Sequence, residues 1–277
     1  MIRVAVIGPV LNESAFIGYS IMSCHKYVDE FVYAISPKSD DGTIEILRHI
    51  GKNYGKVRLL ISQEYDFDPM DTKAYNASFN DCIQQTRCDA VWFLHPDQVV
   101  INPEKIADLQ DGPLAWSVNM KSFAKDMNTV ITQGRVTKWK NLHRTKFGVH
   151  YYGGYGSQNE DFYHSDITGK SYKHFGTDFL QYPYEVVDSG INVNHYCELK
   201  PYKRRLEKMK HCLKTLSPNA TDDAIEEFAA QHPRVSLEPS SERFGRFEFT
   251  KTDDPIPDIF EKYKSEFEPL TREFVHA

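Results

Sequence analysis

The chain has 277 residues, of which 40% are hydrophobic and 26% charged, enough for one sizeable α/β domain with an appendage. Acidic residues outnumber basic ones 39 to 33, and the net charge of −6 argues against a general polyanion-binding surface while allowing a local basic patch. No apolar run reaches the roughly 18 residues of a membrane span, and the N-terminus enters a strand pattern at once, so no signal peptide is expected and the expected compartment is the cytoplasm.

Four short apolar runs recur in the first hundred residues: Arg3–Ile7, Phe31–Ile35, Val57–Ile61 and Ala90–Leu94. None alternates strictly, which predicts strands buried on both faces. Helical patterns lie between them. Ile17, Ile21, Cys24 and Val28 form one stripe, and Tyr75, Phe79, Cys82 and Ile83 another. Between these, Asp41-Gly42-Thr43 predicts a turn, followed by a short helix carrying Ile44, Leu47 and Ile50. The resulting β-α-β-α-β-α-β order predicts a mostly parallel central sheet with helices on both faces. Ligands in such sheets gather at the carboxyl ends of the strands, which gives Pro9 to Glu13, Ser36 to Asp41 and His95 to Gln98 a common location.

The pattern changes near Asp111. Trp116–Met120 and Thr129–Ile131 predict strands, and Tyr151-Tyr152-Gly153-Gly154-Tyr155-Gly156 reads either as an acceptor-side loop with stacking surfaces or as tyrosines packing a loop onto the sheet. Lys200 to Lys214 is a basic, helical segment. Thr221 to Gln231 predicts a helix capped at Thr221-Asp222-Asp223. Asp254-Pro255-Ile256-Pro257 predicts an extended piece before a last helix with Ile259, Phe260, Tyr263 and Phe267. Cys24, Cys82, Cys88, Cys197 and Cys212 are scattered without a CxxC pair, which excludes a recognisable zinc knuckle or disulfide framework. Cys24 and Cys82 fall on apolar helical faces and are expected to be buried, unreactive thiols.

Four segments together carry a family resemblance. Val6-Ile7-Gly8-Pro9-Val10-Leu11-Asn12-Glu13 is a strand with a proline-containing turn and Asn-Glu. Ser39-Asp40-Asp41-Gly42-Thr43 is similar to a Ser-x-Asp-Gly-Thr segment, and Asn76 lies on the helix before the fourth strand. Leu94-His95-Pro96-Asp97-Gln98 stands where Leu-Asp-x-Asp-Glu is usual. In order and spacing, residues 1–105 resemble the nucleotide-binding half of family 2 glycosyltransferases of the GT-A fold. The resemblance implies a nucleotide-sugar-binding half over residues 1–110, an acceptor and catalytic half over 111–215, and a C-terminal helical, acceptor-side extension over 216–277.

It further implies transfer of a sugar from a nucleotide-diphosphate donor, commonly a UDP-sugar, to an acceptor hydroxyl, with inversion and with a divalent metal. Pro9, Val10, Asn12, Glu13, Ser36, Ser39, Asp40 and Asn76 would line the nucleotide. A family acidic pair is replaced by Ser36-Pro37, which puts the uridine preference in question. Asp97 matches the second aspartate and would ligate the metal. His95 matches the first, and either binds metal, favouring Mn²⁺ over Mg²⁺, or hydrogen-bonds the ribose. His195, in Asn194-His195-Tyr196, is similar to a late histidine of the metal or diphosphate shell. Lys200 and Lys203 follow it and would hold the diphosphate, or form a solvated helix face. Asp161 beside Glu160 would take the acceptor proton, with Asp178 in reserve, although adjacent acids also occur on solvated surfaces.

The acceptor stays open between a glycan, a protein and a hydroxylated base in DNA, the overall acidity weighing against DNA. Nucleotidyl transfer is disfavoured by the lack of a Gly-rich phosphate loop with a following lysine near the first strand. A binding protein that has lost catalysis is the non-enzymatic alternative, motivated by the weakened metal motif at His95 to Gln98 and by the Ser36-Pro37 replacement.

Overall fold

The computed structural model describes residues 1–65, 72–113, 115–133, 138–145, 149–152, 162–165, 170–173, 186–216, 219–237 and 248–271. In chain order these form β1 (Val4–Val10), α1 (Ile17–Cys24), β2 (Glu30–Ile35), α2 (Thr43–Asn53), β3 (Val57–Ile61), α3 (Thr72–Gln85) and β4 (Ala90–Trp92). There follow β5 (Gln98–Val100), β6 (Ala115–Ala124), β7 (Thr129–Gln133), β8 (Lys138–Arg144), β9 (Val149–Tyr152), β10 (Phe162–Ser165), β11 (Lys170–Lys173) and β12 (Val186–Glu198). The chain closes with α4 (Tyr202–Leu216), α5 (Asp222–Gln231), α6 (Pro233–Ser236), β13 (Glu248–Lys251) and α7 (Ile259–Phe267).

The strand order is β13-β7-β6-β8-β4-β1-β2-β3, with β12 pairing both β5 and β6. Strands β3, β2, β1 and β4 run parallel, as alternation with helices requires. Beyond β4 the sheet turns antiparallel through β8, apart from the parallel pairing of β6 with the long β12. Strands β9, β10 and β11 form a separate antiparallel sheet.

Alternation along β1 divides the core in two. Val4, Val6 and Val10 face a cluster with Ile17, Ile21 and Cys24 of α1 and Ile46, Leu47 and Ile50 of α2. Ala5 and Ile7 face the opposite cluster, where Phe79 and Cys82 of α3 meet Val91 and Phe93. Helices therefore cover both faces, and the expected α/β architecture is observed. Burial pushes the Cys24 and Cys82 thiols up to about 12, which keeps them protonated and inert.

Two expectations change in detail. Strand β3 is not buried on both faces, and Ile61 is exposed, because β3 is the edge of the sheet. The α1 stripe stops at Cys24; Val28 packs into the core from the following turn, where its amide donates to the Cys24 carbonyl at 3.2 Å. The tail also carries more than helix. Residues 248–251 form β13 against β7, and α7 returns to the first half of the chain.

That return is tightly fitted. A Cβ on Gly18 would lie 2.6 Å from the Phe267 ring, so glycine makes room for the aromatic. Glu266 binds His49 at 2.7 Å and accepts from the Tyr54 hydroxyl at 2.8 Å. Gly42 has φ +102, and a Cβ there would lie 1.9 Å from the Leu270 carbonyl oxygen. Among the described residues no helix is long and apolar enough to cross a membrane.

Phe267 is 1% exposed, so Phe267→Ala is expected to cost about 3–5 kcal/mol. Urea unfolding measures this, and a loss below about 1 kcal/mol would contradict the clamping role given to α7. Cys24 and Cys82 are expected to resist alkylation in the native protein and to react on unfolding, as followed by mass spectrometry.

Candidate functional site

The loops after β1 and β2 are laced together by side chains that cap backbone amides. Asn12 adopts φ 54, the left-handed region that asparagine tolerates better than most residues. Its Oδ1 accepts from the Asp40 amide at 3.0 Å, and its own amide donates to Ser39 Oγ at 3.4 Å. Glu13 donates its amide to Thr43 Oγ1 at 2.7 Å. Asp41 accepts from the amides of Ser14 and Thr43 at 2.9 and 3.0 Å and from Thr43 Oγ1 at 2.6 Å. Ser36 is fully buried, and its amide donates to the Val10 carbonyl at 3.1 Å. Pro9 and Val10 end β1 beside Ala34 and Ile35. Asn76 is carried on α3, which packs on β1 and β2.

At the end of β4 the chain leaves the sheet and turns. The Gln98 amide donates to the His95 carbonyl at 3.0 Å, and the Gln98 side chain accepts from the His95 amide at 2.9 Å. Gln98 Nε2 lies 3.4 Å from the Met120 sulfur. This residue, read from sequence as a departure from glutamate, is a clamp that fixes the turn presenting Asp97. The Tyr196 amide donates to the Asp97 carbonyl at 2.9 Å, extending the pairing of β5 with β12, in which His195 faces Gln98.

These elements bring five expected residues together: Glu13, His95, Asp97, His195 and Lys200. His195 Nε2 lies 3.2 Å from Asp97 Oδ1, and the His95 and His195 rings stand 5.8 Å apart. Lys200 Nζ lies 2.9 Å from Asp97 Oδ2 and 2.7 and 2.6 Å from the two oxygens of Glu13. The side chains of Asp97, Lys200 and Glu13 are 2%, 9% and 17% exposed. The cluster therefore opens to solvent on the Glu13 side while its Asp97 end is sealed.

Arg205 holds the backbone here, donating from Nη1 to the Lys200 carbonyl and from Nη2 to the Val235 carbonyl at 3.1 Å. Arg204 reaches Asp40 at 3.5 Å, tying α4 to the loop after β2. Lys203 stands outside the cluster, 83% exposed and 4.0 Å from Glu207. Arg204, a member of the same basic run ranked behind Lys203, takes the inward place; its position one residue along the helix turns it to a different face. Asp41, expected in the turn before α2, caps it: an aspartate two residues before a threonine at a helix start is a recognisable turn-capping pattern.

The proton acceptors expected from sequence, Asp161, Glu160 and Asp178, lie outside the described residues, as do residues 153–156 of the aromatic loop. A groove of about 810 Å³ is bordered by Val99, Met120, Lys121, Asn194 and Asp254.

The metal implied by the resemblance can be tested against this donor set. His195 lies against Asp97 with the His95 ring nearby, but the Asp97 carboxylate is taken by a lysine ammonium. Three carboxylate oxygens close on Nζ at hydrogen-bonding distances. Among the described residues no group of three His, Cys, Asp or Glu side chains has the arrangement to hold a metal ion. A dication and an ammonium repel, so the residues as arranged do not fit a divalent ion.

No family profile matches the chain, and no curated protein matches it. Solved structures do. Staphylococcus aureus TarS 1–349 is 14% identical, with 82% of this chain and 69% of that chain covered and a TM-score of 0.43. Glucosyl-3-phosphoglycerate synthase from Mycobacterium tuberculosis with phosphoglyceric acid is 17% identical over 78% of this chain and 77% of that one, with a TM-score of 0.43. The same enzyme with Mn²⁺, uridine diphosphate and glucosyl-3-phosphoglycerate is 15% identical over 90% and 87%, with a TM-score of 0.42.

Asp41→Ala would remove the acceptor for two amides and a hydroxyl. The expected loss of stability is about 1–3 kcal/mol, measured by denaturant titration. A neutral result would show that the two loops are held by other contacts.

Proposed function

We propose that the chain is a glycosyltransferase of GT-A type that takes a sugar from a nucleoside diphosphate donor, a UDP-sugar first among them, and passes it to an acceptor hydroxyl. The observation that carries this reading is the convergence of Glu13, Asp97, His195 and Lys200 at the carboxyl ends of β1, β4 and β12. Charged groups gathered where parallel strands end are placed as a ligand site requires.

In the reaction, an acceptor oxygen bonds to the anomeric carbon as the bond from that carbon to the β-phosphate oxygen breaks. The electron pair leaves with the nucleoside diphosphate, and a base takes the acceptor proton. The loops around Asn12 and Asp40 supply backbone and side-chain groups for the nucleoside. Gln98 holds Asp97 in place, and Asp97 positions His195 and Lys200 toward the leaving group. Asp161, with Glu160 beside it, is proposed as the base of an inverting transfer, and Asp178 is the alternative.

A small or glycan acceptor is preferred over DNA. The net charge of −6 weighs against a surface that tracks a phosphate backbone.

The test is release of nucleoside diphosphate from a panel of UDP-, GDP- and ADP-sugars, with consumption of nucleoside triphosphates followed alongside, each with EDTA or with Mn²⁺. One diphosphate-sugar is expected to be turned over, and Asp97→Ala is expected to lower turnover by roughly 10² or more. Turnover of no sugar donor under either condition would end the glycosyltransferase reading, and consumption of a triphosphate would replace it with nucleotidyl transfer.

A further inference from the structure

Lysine and two carboxylates are costly to bury, since each ion loses several kcal/mol of hydration, and a fold needing only packing would be served as well by apolar side chains. The Lys200 cluster nevertheless lies at the strand ends with Asp97 almost sealed and Glu13 partly open. Its geometry is that of a cation held in a carboxylate cradle. Asp97 supplies one oxygen and Glu13 two, all within 2.9 Å of Nζ, and the Asp97 turn is pinned from both sides by Gln98 and Tyr196.

We infer that Lys200 is the resident cation of the donor site, its ammonium taking the charge-neutralising place a divalent ion would fill, so that nucleoside diphosphate binding and transfer need no metal. This rests on the donor reading above.

An ammonium has three N–H donors. Glu13 engages Nζ through both of its oxygens, so a phosphate oxygen entering from the open side can replace one Glu13 contact and leave Lys200 anchored to each carboxylate. As the anomeric C–O bond breaks and its electron pair moves to the β-phosphate oxygen, the ammonium hydrogen-bonds the departing diphosphate and keeps its protons. Two carboxylates with one ammonium leave one negative charge where a dication would leave none. Arg204 at Asp40 and the amino end of α4, which follows Lys200 within two residues, add positive potential on the side from which a diphosphate enters. Arg205, bonded to the Lys200 carbonyl, keeps the lysine backbone in register with that helix end.

The experiment is calorimetric titration of UDP, GDP and ADP into wild-type protein in EDTA and in Mn²⁺, with Mn²⁺ uptake followed separately by electron paramagnetic resonance. The expected result is binding of one diphosphate in EDTA within about twofold of that in Mn²⁺, with no stoichiometric Mn²⁺ uptake by the protein alone. Lys200→Met is expected to weaken binding in EDTA by roughly ten- to hundredfold, the scale of a lost charge-assisted hydrogen bond. Lys200→Arg guards against a folding defect by keeping the charge and should bind more tightly than Lys200→Met. Nucleotide binding only with Mn²⁺, stoichiometric Mn²⁺ uptake by wild type, or undiminished binding by folded Lys200→Met would overturn the inference while leaving a nucleotide site in place. Binding of no nucleotide under either condition would remove the donor reading and this inference with it.

Discussion

The contact between Lys200 and the carboxylates of Glu13 and Asp97 joins three parts of the chain that are far apart in sequence. Glu13 follows β1, Asp97 follows β4, and Lys200 follows β12. The parallel order of β1 and β4 puts the first two side by side, and the pairing of β5 with β12 brings the third back across them. Remove one partner and a charge is left buried without its counterpart, an arrangement that commonly costs about 3–5 kcal/mol. The same contact thus makes the first half of the chain depend on the later strand, so the segments divided in sequence are mechanically one unit here.

Support for this contact comes from residues outside the ion cluster. Gln98 closes the turn on which Asp97 sits, and Asn12 and Asp41 bind the loops on either side of Glu13. The tail reinforces them from behind, with Phe267 packed where Gly18 has no side chain and Leu270 closing over Gly42. Placing a flexible lysine with sub-ångström repeatability requires such a shell, because its four-carbon stem otherwise samples many rotamers.

Much of the first hundred residues was legible in sequence because local rules and tertiary demands agree there. The strands β1, β2 and β3, the α2 turn at Asp41-Gly42-Thr43 and the Thr221 cap, which accepts from the Ala224 amide at 3.3 Å, all follow from periodicity and capping chemistry. The edge exposure of β3 was not legible, since an apolar run carries no information about which strand is outermost. Nor was the role of Gln98, whose value lies in a hydrogen bond to a backbone amide three residues back. The cluster itself was half legible. Asp97, His95, His195 and Lys200 were each marked by position, but only three-dimensional proximity shows a lysine standing among the residues expected to hold a metal. Lys203 and Arg204 exchanged importance for a helical reason, one residue being about 100° of rotation.

The central claim is that a nucleoside diphosphate is held against Lys200 within the Glu13–Asp97 cradle. A crystal structure of the protein grown with UDP-glucose in EDTA tests it most directly. The account predicts a β-phosphate oxygen within about 3 Å of Lys200 Nζ, with Asp97 still on the lysine. A diphosphate bound elsewhere, or one seated in the cradle only when Mn²⁺ is added and with Lys200 displaced, would contradict it.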